Sequence, residues 1–132
     1  MRTVDLEAAG RVVGLFPNIV SAWVFGSSKD GQAREGSDLD IGLLFDKKPS
    51  LSELATLSAD LQKALEFDEI DLSTLNEASS ILRFEAISGR LLFSRDNGRR
   101  AEFVSLAARE YEHDMAMIEW SMAMRKENRS DD

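Results

Sequence analysis

The chain has 132 residues, enough for one domain with a single core, and its 43% hydrophobic and 30% charged residues are typical of a globular protein. The absence of cysteine excludes disulfides and thiolate metal sites, and no apolar run is long enough to cross a membrane, so we expect a cytoplasmic protein without a membrane partner. With 16 basic against 24 acidic residues the net charge is −8, which disfavours direct binding to nucleic acid.

The first elements predicted along the chain are a helix and a buried strand. Thr3 is the predicted N-cap, and apolar residues recur at helical spacing as far as Phe16. Residues 19–25 then form a nearly continuous run of apolar, β-branched and aromatic residues, which indicates a strand buried on both faces. Gly26 and Ser27 end this strand and begin a polar segment.

A second strand is predicted over residues 38–45. Alternation along this strand places its apolar residues on one face and Asp38, Asp40 and Gly42 on the other. One face of the strand therefore carries two carboxylates.

The middle of the chain alternates helical and strand patterns. Ser50 opens a capping box, and a leucine stripe then indicates a crossover helix. Residues 69–74 indicate a third strand, which carries Asp71. Asn76 is the predicted cap of a short helix that ends at Ile87.

A brief strand over residues 91–93 and a turn at residues 96–98 lead into the last predicted helix, about 99–125. This helix carries two apolar stripes. The first consists of Val104, Ala108, Tyr111, Met115, Ile118 and Met122. The second consists of Phe103, Leu106, Met117, Trp120 and Met124. The helix end is therefore apolar on more than one face, as at a partner surface. Burial within the domain and a homodimer are the alternatives.

The acidic strand and the Gly-Ser turn have the chemistry of a metal–triphosphate site. Asp38 and Asp40 are two residues apart, roughly 6.5–7 Å between Cα atoms, so both carboxylates can converge on one hard cation such as Mg²⁺. Asp71 can supply a third carboxylate. Two Mg²⁺ ions held in this way can bind the attacking and the leaving oxygen of a phosphoryl group. Gly26 allows a phosphate to approach the backbone, and Ser27 offers a hydroxyl and an amide at a predicted helix N-terminus.

The spacing of these residues resembles a known family. Gly26-Ser27, ten intervening residues and then Asp38-Leu39-Asp40 match the G-S-x10-D-x-D signature of the DNA polymerase β-like nucleotidyltransferases. The segment FGSSKDGQAREGSDLDI resembles their minimal branch, the MNT proteins. The segment EIDLSTLNEASSILRFEAISGRLLF is similar to the part that follows, in which an aspartate at the position of Asp71 completes a carboxylate triad. The resemblance covers residues 10–95.

The resemblance implies a mixed α/β (α+β) fold, with a small mixed sheet flanked by helices and a long C-terminal helix. Residues 1–126 would form one minimal nucleotidyltransferase domain, with a catalytic core about 10–95, an interaction helix about 99–125 and a disordered tail over 127–132.

The implied activity is metal-dependent nucleotidyl transfer from ATP. Asp38 and Asp40 would hold two Mg²⁺ ions, and Asp71 would bind one of them and help to deprotonate the attacking hydroxyl. Gly26 and Ser27 would seat the triphosphate, and the intervening Lys29 and Arg34 could touch phosphates.

The resemblance also implies a partner. MNT antitoxins pair with HEPN ribonuclease toxins and transfer AMP to a tyrosine of the toxin, so we expect a HEPN-type toxin to supply the acceptor. It would bind through the end of the last helix, at Met115, Met117, Ile118, Trp120, Met122 and Met124.

Other interpretations of the same residues stay open. The chain could neutralise its partner by complex formation alone, or transfer a nucleotide to a small molecule such as an aminoglycoside. Asp38 and Asp40 could form a solvated strand end, Gly26-Ser27 an ordinary turn, and Asp71 a surface carboxylate.

Overall fold

The computed structural model describes residues 2–33 and 36–130, in which strands and helices alternate. In chain order the elements are β1 (Arg2–Thr3), α1 (Leu6–Gly14), β2 (Ile19–Phe25), β3 (Gln32–Ala33), β4 (Leu39–Phe45), α2 (Leu51–Leu65), β5 (Ile70–Thr74), α3 (Ser80–Ile87), β6 (Arg90–Ser94) and α4 (Asn97–Ser130). Single 3₁₀ turns follow β2 and β5, at Gly26–Ser28 and Leu75–Glu77. The predicted mixed α/β class with a long C-terminal helix is confirmed. Arg34 lies outside the described residues.

A four-stranded mixed sheet with the order β5-β4-β2-β6 forms the centre of the fold. β2 is antiparallel to β4 and to β6, whereas β4 and β5 are parallel and are connected through α2. All seven residues of β2 are buried, as its continuous apolar run predicts. β1 and β3 form a separate antiparallel ribbon.

Alternation along β4 separates two apolar layers. The first layer lies between the sheet and helices α1 and α2. It contains the fully buried side chains Leu39, Ile41, Leu43 and Phe45. On the other face, Trp23, Phe25 and Ala86 belong to a cluster beneath α3 and the first part of α4. The acidic face predicted for β4 therefore lies on the α3 side.

Two helix caps differ from their predictions. Asp5 rather than Thr3 caps α1, because Thr3 is held in the β1–β3 ribbon and the Asp5 carboxylate accepts a backbone N–H of the first turn. Ser79 caps α3, whereas Asn76 is used elsewhere: its side-chain amide bonds both the N–H and the carbonyl of Phe45, at 2.9 and 2.8 Å. Asn76 therefore ties the end of β4 to the turn after β5.

Helix α4 runs antiparallel to α3. The Ser80 hydroxyl donates to Asp114 at 2.5 Å near one end of α3, and Arg83 pairs with Glu110 at 3.2 Å nearer the middle. α4 continues through Ser130, beyond the predicted end at residue 125. Residues 127–130 of the predicted disordered tail are thus helical, and residues 131 and 132 lie outside the described residues.

The end of α4 beyond Asp114 exposes large apolar side chains. Met115 is half-buried. The exposed fractions of the others are 51% for Met117, 44% for Ile118, 62% for Trp120, 64% for Met122 and 40% for Met124. These values exclude the alternative in which this end of the helix is buried within the domain. No helix among the described residues combines the length and apolarity that crossing a bilayer requires.

Candidate active site

Asp40 occupies the centre of the acidic face. In the strand register it lies opposite Phe25 of β2 on one side and opposite Asp71 of β5 on the other. Directly paired residues of neighbouring strands point to the same face, about 4.8 Å apart along the sheet, so the Asp40 and Asp71 carboxylates are neighbours. Asp40 is half-buried, whereas Asp71 is exposed on the edge strand and Asp38 is exposed immediately before β4.

Gly26 lies directly against Asp40. It follows β2 with a φ of +77°, a conformation that favours glycine, and a Cβ built on it would lie less than 3.0 Å from Oδ2 of Asp40. The missing side chain therefore makes room for the Asp40 carboxylate. The sequence indicated only that Gly26 would allow a phosphate to approach; the contact with Asp40 is an additional constraint.

The electrostatics of the site are those of a carboxylate cluster. Burial raises the pKa of Asp40 above its ordinary value of 3.8, and the negative charges of Asp71, Asp38 and Glu85 raise it further. Within residues 2–33 and 36–130, none of these four carboxylates pairs with a lysine or arginine. Their mutual repulsion is thus left for a ligand to offset.

Glu85 was not predicted as part of this site. It lies on α3, which packs closely on β4 at Gly42. A Cβ added to Gly42 would lie only 3.1 Å from the side chains of Ala86 and Leu75. The strand motifs contain no signal for it, since its position depends on how α3 is placed over the sheet.

The donor set fits Mg²⁺ bound together with a substrate. Among the described residues, no three acidic or histidine side chains converge closely enough to form a complete metal cage. Mg²⁺ typically uses one or two carboxylates and takes its remaining ligands from water and substrate phosphates. The adjacent Asp40 and Asp71, with Asp38 beside them, match this partial protein contribution.

The Gly-Ser turn differs from the predicted helix start. It is a single 3₁₀ turn of three residues, Gly26–Ser28, in which the Lys29 N–H bonds the Gly26 carbonyl at 3.4 Å. Gly26 and Ser27 are exposed, so both are open to a phosphate. Ser28 is fully buried, and its hydroxyl has no hydrogen-bond partner among the residues that the structure describes. The expected helix N-terminus is therefore wrong, and any phosphate contact here comes from the turn itself.

A cavity of about 370 Å³ adjoins this turn. It lies between the turn, the end of α3 and the first half of α4. Its lining consists of Gly26, Lys29, Phe84, Glu85, Ser88, Gly89 and Tyr111. The residues that α3 and α4 contribute were not predicted from the sequence to bind a ligand.

Residues 12–98 match the family model described as Polymerase beta, Nucleotidyltransferase. No curated protein gives a significant match.

Three solved structures illustrate the likeness in fold. A mutant form of the toxin–antitoxin MntA–HpeT has a TM-score of 0.74 and 21% identity, covering 92% of this chain and 98% of that chain. A toxin–antitoxin structure with AMP-PNP has a TM-score of 0.73 and 22% identity, with the same coverage. A tri-AMPylated Shewanella oneidensis HEPN toxin in complex with an MNT antitoxin has a TM-score of 0.66 and 19% identity, covering 90% of this chain and 96% of that chain.

Proposed function

The chain belongs to the polymerase beta nucleotidyltransferase family, and from this premise we propose that it transfers AMP from ATP to a tyrosine of a HEPN-type toxin and so acts as an antitoxin. The observation that carries the proposal is the pairing of Asp40 with Asp71 beside the Gly26 turn. This places two carboxylates of the predicted triad next to a turn that is open to phosphate.

The three aspartates share the proposed chemistry. Asp38, Asp40 and Asp71 would hold two Mg²⁺ ions, and Gly26 and Ser27 would receive the triphosphate. When bound, Mg²⁺ supplies positive charge that neutralises phosphate oxygens. Asp71 accepts the proton of the attacking hydroxyl, for which its exposure at the sheet edge is suited.

The proposed reaction is a displacement at the α-phosphorus. The tyrosine oxygen forms a bond to this phosphorus while the bond to the oxygen bridging the α- and β-phosphates breaks. Pyrophosphate leaves with the electron pair, and the proton of the hydroxyl passes to Asp71 and then to water. Such transfer depends mainly on positioning and charge stabilisation, which a small scaffold with fixed carboxylates can supply.

A protein acceptor is supported by two features. Asp71 lies on the outer strand β5, so a hydroxyl carried by another protein can reach it without passing through the sheet. The projecting end of α4 offers an apolar surface that a partner can cover, formed by Met115, Met117, Ile118, Trp120, Met122 and Met124. The similar structure with a tri-AMPylated HEPN toxin favours a toxin of that class as the partner.

The test uses the full chain, its HEPN-type partner, ATP and Mg²⁺. We expect the partner to gain the mass of AMP on a tyrosine, with release of pyrophosphate. The Asp38→Asn/Asp40→Asn double variant should bind the partner but fail to modify it, because the amides keep the shape and lose the charge.

The competing function is neutralisation by binding alone, which the exposed apolar end of α4 favours. If the wild type blocks the toxin without transferring AMP, and the double variant blocks it equally well, the chain is a binding antitoxin. If the double variant labels the partner as well as the wild type, the assigned metal residues are wrong.

A further inference from the structure

We infer that the cavity between the Gly26 turn and helices α3 and α4 holds the nucleoside of the triphosphate, with its base against Phe84 and Tyr111 and its phosphates near Lys29. This inference rests on the proposed function, because it assigns the part of ATP that the aspartates and the turn do not contact. At about 370 Å³ the cavity falls within the range of small-molecule sites.

The cavity is continuous with the site already described. Gly26 lies on its wall and against the Asp40 carboxylate. Glu85 also lines it, and its charge acts on Asp40. A nucleotide whose phosphates rest at the turn therefore has this cavity within reach of its sugar and base.

A close approach of the backbone shapes this cavity. A Cβ at Gly89 would overlap the Val24 carbonyl and lie 2.9 Å from Cβ of Phe25, so only glycine allows the α3–β6 connection to lie this close to β2. Ser88 and the end of α3 thereby line the same cavity as Gly26 of the turn. The cavity is thus built into the way α3 meets the sheet.

An aromatic pair provides the apolar wall. The rings of Phe84 and Tyr111 are stacked, with centroids 3.9 Å apart and planes within 5° of parallel. Both residues are half-buried, and the residues immediately before them, Arg83 and Glu110, form an ion pair that also links the two helices. A third flat ring can stack on this pair at little entropic cost, because the two rings are already ordered before the ligand binds.

Lys29 provides the charge that a triphosphate requires. It follows the Gly26–Ser28 turn, its side chain is exposed, and it forms no ion pair within the part of the chain that the structure describes. It is the lysine on the cavity wall, whereas Glu85 is the acidic residue there. Phosphates are therefore favoured on the Lys29 side, and sugar hydroxyls can donate to Glu85 or bond Ser88.

The test compares binding of ATP with binding of inorganic tripolyphosphate by calorimetry, in Mg²⁺ and without the toxin. Tyr111→Ala should weaken ATP binding by about 5- to 150-fold and leave tripolyphosphate unchanged, because of the two ligands only ATP has a base that stacks on this ring. Tyr111→Phe keeps the ring and should bind ATP as the wild type does. Lys29→Ala should weaken both ligands. His113→Ala, an exposed position on the same helix outside the cavity, is the matched control and should change neither.

A second variant covers the case in which Tyr111→Ala disturbs helix packing. Ser88→Leu leaves the aromatic pair in place but projects a larger side chain from the lining, so it should weaken ATP and spare tripolyphosphate. The inference is overturned if Tyr111→Ala and Ser88→Leu both bind ATP normally, or if Tyr111→Phe is as weak as Tyr111→Ala. A wild type that modifies its partner while these variants bind ATP normally leaves the proposed function standing. A wild type that binds no ATP overturns both.

Discussion

Replacing Gly26 by alanine tests whether the turn and the Asp40 carboxylate act as one unit. The substitution adds a single methyl group, which would lie less than 3.0 Å from Oδ2 of Asp40. It also forces a non-glycine residue into a φ of +77°. These two effects have different consequences, because backbone strain lowers stability whereas displacement of the carboxylate lowers activity.

Both magnitudes follow from the geometry. A left-handed backbone costs a non-glycine residue about 1–2 kcal/mol, which lowers the Tm of a domain of this size by about 3–10 °C. To restore an ordinary van der Waals contact, the Asp40 oxygen must retreat by roughly 1 Å. A displacement of that size at a reacting centre costs about 100-fold in rate, or about 2.7 kcal/mol of barrier.

Gly36→Ala is the matched control. Gly36 has a similar φ of +79°, but a Cβ added there meets no atom of the described residues within 4 Å. Both variants should therefore show the same fall in Tm by calorimetry, whereas only Gly26→Ala should lose about 100-fold in the rate of AMP transfer at saturating ATP.

Two results would contradict this reasoning. If Gly26→Ala loses stability but transfers AMP at the rate of Gly36→Ala, the position of the Asp40 oxygen does not limit the reaction. If Gly26→Ala weakens ATP binding equally with and without Mg²⁺, the glycine serves the approach of the phosphate rather than the carboxylate.

Three further predictions concern stability and assembly. The pKa of Asp40 is raised in the folded state, so ionisation of this carboxyl lowers the stability of the fold as the pH rises above about 3.8. Asp40→Asn should therefore stabilise the metal-free protein at pH 7 and have no effect below pH 3.8. Equal urea midpoints of the two proteins at pH 7 would contradict this. Asn76→Ala should lower the free energy of unfolding by about 1–3 kcal/mol, because the N–H and the carbonyl of Phe45 lose their hydrogen bonds to the Asn76 side chain. An unchanged urea midpoint would show that these two hydrogen bonds do not stabilise the fold. Met117→Ala with Trp120→Ala should weaken partner association in calorimetry without altering Tm; unchanged association would contradict a partner surface at this end of the helix.

The strands of the site were predictable from local pattern. The buried run at residues 19–25 and the alternation after Asp38 depend on side-chain periodicity, which is visible in the sequence, and both strands are confirmed. The spacing of the carboxylates then follows from strand geometry and from the parallel pairing that a crossover helix permits.

The wall of the site opposite the strands was not predictable in the same way. Glu85, Phe84 and Tyr111 reach the site only because α3 approaches the sheet at Gly42 and Gly89, and this approach is a tertiary contact without a local pattern. The helix start expected at Ser27 was wrong for a related reason. A Gly-Ser pair after a strand is compatible with either a helix or a single 3₁₀ turn, and the residues that follow decide which one forms.

The order of the strands bears on the direction of the reaction. In the sheet β5-β4-β2-β6, Asp71 lies on β5, Asp40 on β4 and the Gly26 turn at the end of β2, so the three follow one another across roughly 10 Å. An in-line displacement requires the attacking and leaving oxygens on opposite sides of the phosphorus. With pyrophosphate at the Gly26 turn, the acceptor hydroxyl must come from the Asp71 side. That side is an open sheet edge, which favours the proposed transfer to a hydroxyl that another protein carries.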